Sequence, residues 1–168
     1  MWQFRWWTWV VLPLVALVIE VSLLPHLFPP DALPNLVLAV VVALAFFETP
    51  RRGFILGLIA GAIVDLDAGR LIGLNMAVMA SAGWIVSVLQ ARIVRDDVFV
   101  PGVIGAFIQV AVRVVTWGVV YAFGFHTPLV DLARVLPVDI LFGLFMTPGI
   151  IGLLHLRLRH EVQRGLKF

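Results

Sequence analysis

The stretch GFILGLIAGAIVDLDAGRLIGLN, from Gly53 to Asn75, decides the fold. An apolar run carries Gly53, Gly57 and Gly61 at a spacing that places them on one face of a helix. It stops at Asp65 and Asp67, then resumes after Gly69 and Gly73. Two hydrophobic helices with small-residue faces are therefore expected to meet at an acidic, glycine-rich corner. Small residues repeated every four positions permit close helix approach, either to another helix of the chain or to a partner.

The surrounding composition sets the solvent. Of 168 residues, 62% are hydrophobic and 13% charged, and the mean hydropathy is +1.07. Soluble domains carry about a quarter charged residues. A chain of this length could not bury so much apolar surface in water, so the class is an all-α, polytopic membrane protein. The net charge of +2 does not point to nucleic acid, because the basic residues sit in short clusters between apolar runs. The absence of cysteine removes disulfides and thiolate chemistry. No small-x-small cleavage site follows the first apolar run, so that run is expected to stay as an anchor.

The apolar runs predict six spans within one membrane domain, 1–168, at about 7–24, 35–47, 53–65, 73–89, 98–123 and 137–156. Tryptophans around Arg5 read as an interfacial anchor. The proline-rich segment from Pro25 to Pro34 reads as an ordered loop. Pro34 is placed in the first turn of the second span, and Pro137 opens the sixth. A second loop is expected over 124–136, and Pro148 should kink the last helix.

Charge sets the orientation. Arg5, Arg51, Arg52, Arg92, Arg95, Arg157, Arg159, Arg164 and Lys167 fall on one side, against Arg70 and Arg134 on the other. Such an imbalance puts both termini in the cytoplasm. From Arg52 to Asp65 is a step of 13 residues, or about 20 Å of helix. That is short of the roughly 30 Å hydrocarbon core, so Asp65 is expected below the far interface. Irregular backbone at that depth must be buried in protein or line a wet cavity.

Glu20, Asp65, Arg113 and Asp139 are the costly intramembrane charges, because each needs a partner or water. The topology assigns all four to the outer layer. Arg113 is expected to pair with Asp139 or Asp65, with Glu20 nearby. Such a pair can fix helix packing, bind a partner helix, or serve a substrate or proton. Asp65-x-Asp67 resembles a metal or sugar-nucleotide DxD, but a loop cap is the commoner role. Asp65 with Asp139 could form an aspartyl dyad, although the flanking residues match no such motif. His26, His126, His155 and His160 are scattered, and neither H-E-x-x-H nor G-x-S-x-G occurs. No cofactor or metal is expected.

With these features assembled, the chain resembles the bacterial rod shape-determining MreD family. Gly57, Gly61, Asp65, Gly69, Gly73, Leu74 and Asn75 carry the resemblance, together with Pro34-Asn35-Leu36, the six spans and the short basic tail. The resemblance implies a non-enzymatic component of the elongation machinery in the inner membrane. It implies MreC as direct partner, and links through the complex to MreB and to the synthase pair RodA and penicillin-binding protein 2. It also implies a fold similar to the S-components of vitamin transporters, which supplies an alternative function in small-molecule uptake. Within that frame Gly53, Gly57, Gly61, Gly69, Gly73 and Asn75 are expected to form a helix-packing or partner face.

Overall fold

The computed structural model describes residues 6–27, 33–68, 73–90, 99–124 and 129–165. Helices α1 (Trp6–Ser22) and α2 (Leu24–Leu27) are followed by α3 (Leu36–Ala45), α4 (Pro50–Ala68), α5 (Leu74–Gln90), α6 (Phe99–Ala122) and α7 (Leu129–Gly165). No strand occurs among the described residues.

The centre of the bundle is α3. Its sequence, LVLAVVVALA, is apolar on every side, which demands burial on every side. Every residue from Val37 to Ala45 is buried. Around it pack Leu56 and Ala60 of α4, Met79, Ala82 and Val86 of α5, Ile108 of α6 and Ala16 of α1. With 10 residues α3 extends about 15 Å, well short of a bilayer core. Its neighbours shield it.

Among the described residues, three helical stretches are long and apolar enough to cross a membrane: Trp9–Leu27, Val100–Ala122 and Leu132–Leu154. The segments Leu36–Ala45 and Leu74–Gln90 are apolar but shorter. Helix α4 carries Arg51, Arg52, Asp65 and Asp67 within its 19 residues.

Several boundaries differ from the sequence expectation. Helix α4 begins at Pro50 rather than Gly53, because proline suits the first helical position, where its missing N–H costs nothing. It continues to Ala68, so Asp65 lies within its last turn rather than at its end. Helix α3 begins at Leu36, so Pro34 lies before its first turn, and Asn35 caps it: the Asn35 side chain accepts the Leu38 N–H at 2.7 Å. A helical turn, Leu24–Leu27, forms where a loop was expected. The largest shift is in α7, which starts at Leu129 and runs through Pro137 and Pro148. Proline is tolerated inside membrane helices when neighbouring groups take up the freed carbonyl. Asp139 therefore sits inside a long helix rather than in a first turn.

Two antiparallel hairpins dominate the packing, α4 with α5 and α6 with α7. In the first, Gly53 lies against Gly83 and Ser87, Gly57 against Met79 and Ala80, and Gly61 against Asn75 and Met76. In the second, Gly102 meets Leu144, and Gly105 and Gly143 meet across the crossing beside Thr147. At each of these contacts a Cβ would overlap the opposing backbone or side chain.

Candidate functional site

The polar groups of the bundle gather at the end where α1 and α4 finish and α3 and α5 begin. A helix start exposes backbone N–H groups with no partner inside the helix. In a membrane those donors must be met by protein. At this end Glu20, Asp65, Arg113 and Asp139 each meet backbone or a countercharge.

Asp65 is buried in the last turn of α4. One of its oxygens accepts the N–H groups of Gly73 at 2.8 Å and Met76 at 3.1 Å. The other accepts the Asn75 N–H at 3.2 Å and the Asn75 side-chain amide at 2.9 Å. The carboxylate thus caps α5 from the preceding helix and meets the positive end of its dipole. Gly73 makes the turn possible, with φ at +99°, a conformation side-chain-bearing residues rarely adopt.

Glu20 does the same for α3. Its Oε2 accepts the Val37 N–H at 3.0 Å, while Asn35 takes the next donor, Leu38. Helices α3 and α5 therefore both begin under a carboxylate from an earlier helix, α1 for α3 and α4 for α5.

Arg113, on α6, completes the layer. Its Nε donates to one oxygen of Asp139 at 2.7 Å, and an Nη donates to the other at 3.0 Å. The same Nη donates to the Leu33 carbonyl at 2.9 Å. One turn earlier on α6, Gln109 donates to the Asn35 carbonyl at 3.1 Å. The approach to α3 is thereby held by two residues of α6, one of which is locked by α7. The Asp139 side chain is 1% exposed and that of Arg113 32%, so the pair is shielded on the carboxylate side. Arg113 also lies within electrostatic range of Glu20. Asp65 does not pair with Arg113; its oxygens are taken by α5.

Of the remaining expected site residues, Gly53, Gly57 and Gly61 line the α4–α5 contact and Asn75 bonds to Asp65. Gly69 lies outside the described residues, as do His126 and Arg70. Asp67 is exposed, and no described residue pairs with it. No group of three metal-ligating side chains occurs among the described residues.

Sequence reasoning gave neither Gln109 nor Asn35 a role in this layer. The signal was the four-residue step from Gln109 to Arg113, which sets both on one helix face. It also missed the second glycine crossing at Gly102, Gly105 and Gly143.

At the opposite end, Glu48 is buried in the turn between α3 and α4. Arg52 Nη1 lies 3.6 Å from its Oε2. Burial pushes the Glu48 carboxyl above its usual value, and the nearby Arg52 charge opposes that rise. Ser87 donates to the Ala45 carbonyl at 2.8 Å and so closes the end of α3.

A bundle of apolar helices whose buried charges bond to its own helix ends defines a multi-pass, all-helical membrane protein. Residues 2–157 match the family described as rod shape-determining protein MreD, and the chain belongs to that family. Membership gives it a role in rod shape determination and a place in the bacterial inner membrane. No curated protein and no solved structure matches the chain.

Proposed function

We propose that the chain is a non-enzymatic scaffold of the elongation machinery, threading six helices, α1 and α3 to α7, through the inner membrane with both termini in the cytoplasm. It holds the transmembrane helix of MreC, and through that complex reaches MreB, RodA and penicillin-binding protein 2, helping to regulate peptidoglycan synthesis. One observation carries this reading: four intramembrane charges, Glu20, Asp65, Arg113 and Asp139, are engaged by the fold itself. Glu20 and Asp65 close helix starts, and Arg113 with Asp139 holds the approach to α3. A binding cavity for a small polar ligand needs several convergent free groups. The neutral candidates, Gln109 and Asn75, already donate to Asn35 and Asp65. The apolar outer faces of the helices remain, and they suit another helix.

Affinity purification from membranes of a rod-shaped bacterium tests this. The scaffold reading expects a single-span protein to co-purify in fixed ratio. A small molecule retained in fixed ratio, with no such protein, would favour the uptake-component alternative.

A further inference from the structure

The outward side of α4 combines two features. The first is an apolar stripe of Ile55, Ile59, Ile63 and Leu66, spaced to lie along one helix face. Leu66 is 84% exposed, the highest value among the large hydrophobic side chains described, and Ile55 is 40% exposed. The second is Asp67, exposed beside the end of this stripe with no partner among the described residues. From Arg52 to Asp67 is a step of 15 residues, about 22 Å of helix, still within a hydrocarbon core of about 30 Å. A carboxylate at that depth calls for a cation. Glu20 lies within electrostatic range and adds to the negative field. The glycine face of α4 is closed by α5, so a further helix must use another side.

Resting on the partner-helix reading above, we infer that the Ile55–Ile59–Ile63–Leu66 face of α4 seats a single-span partner helix carrying a lysine or arginine level with Asp67. A second copy of this chain is a poor occupant. Two-fold symmetry about the membrane normal would bring like residues together at one depth, and Asp67 would meet Asp67.

The chain has no cysteine, which makes crosslinking direct. Single cysteines at Ile59, Ile63 and Leu66, and at the exposed Phe107 and Phe145, are paired with single cysteines along the span of the co-purifying partner. Disulfides are expected from the α4 positions and not from Phe107 or Phe145. Asp67→Lys should lower partner recovery about tenfold, as one interhelical polar contact of 1–2 kcal/mol implies. Reversing the partner's basic residue to Asp should restore it. Thermal melting of the Asp67→Lys and Asp67→Asn variants separates this effect from misfolding. Disulfides only at Phe107 or Phe145 would overturn the assigned face and leave partner binding standing. Disulfides between two copies of the chain would overturn it in favour of self-association. Unchanged recovery with Asp67→Lys would show that no basic residue of the partner answers the carboxylate, and would overturn it too. Failure of the unaltered chain to recover any single-span protein would instead sink the underlying scaffold reading.

Discussion

Arg113 and Asp139 form a two-pronged pair between α6 and α7, with contacts of 2.7 and 3.0 Å, and the same guanidinium reaches the Leu33 carbonyl at 2.9 Å. The pair is a joint between three parts of the bundle: α6, α7, and the extended approach to α3. Its strength comes from fork-to-carboxylate geometry and from the difficulty of leaving either charge alone in the membrane.

Removing one member should therefore cost more than removing both charges. Asp139→Asn or Arg113→Gln leaves an uncompensated partner and is expected to destabilise by about 3–5 kcal/mol. The double variant Arg113→Gln with Asp139→Asn keeps a donor where Nε faced residue 139, leaves no lone charge, and should recover most of that loss. Thermal unfolding in detergent, arranged as a double-mutant cycle, measures the coupling.

Asp65→Ala strips the cap from α5 and leaves the Gly73, Asn75 and Met76 N–H groups without their acceptor. Loss of about 3 kcal/mol is expected, in line with hydrogen bonds to a charged group. Amide exchange should rise first at those three residues. Protection unchanged there would show that the cap is not what orders the corner.

The glycine contacts give an internal contrast. Gly57→Ala places a Cβ into the Met79 carbonyl, and Gly61→Ala places one into Asn75. Each should cost about 2–3 kcal/mol through overpacking. Gly118 and Gly149 have nothing within 4 Å of the same added atom, so alanine there should be neutral or slightly stabilising. Melting temperatures of the four variants test the ordering.

Glu48 supplies a pH dependence. Its folded carboxyl value is raised above 4.5 by burial, with Arg52 opposing. The folded state thus holds the proton more tightly than the unfolded chain. The stabilisation is fully present below about 4.5 and is lost as pH rises through the folded value. Glu48→Gln should flatten the stability profile over that window and leave the protein at least as stable at neutral pH. Melting across the acidic range in detergent reads both effects.

The parts legible in the sequence were those written locally. Gly53, Gly57 and Gly61 announced a close helix contact, and Asp65 stands only ten residues before Asn75, the group that answers it. Arg113 was legible as a charge in need of a countercharge. Its choice of Asp139 over Asp65 was not legible, because it depends on how α6 and α7 cross. That crossing is set by Gly102 and Gly105 on α6 and by Gly143, far from them in sequence on α7. Pro137 misled for a physical reason: it stops helices in water, but membrane packing carries α7 straight through it. The brevity of α3 was hidden as well, because Phe46 and Phe47 continue its apolar run while its backbone already turns.

The central claim is that the intramembrane charges hold the fold together and take no part in chemistry. The most direct test is rod shape itself, in cells depleted of the native protein and supplied with the Arg113→Gln, Asp139→Asn double variant. If the claim holds, the variant inserts, folds and restores rods although the pair has lost both charges. A folded, membrane-inserted variant that leaves the cells round would contradict it.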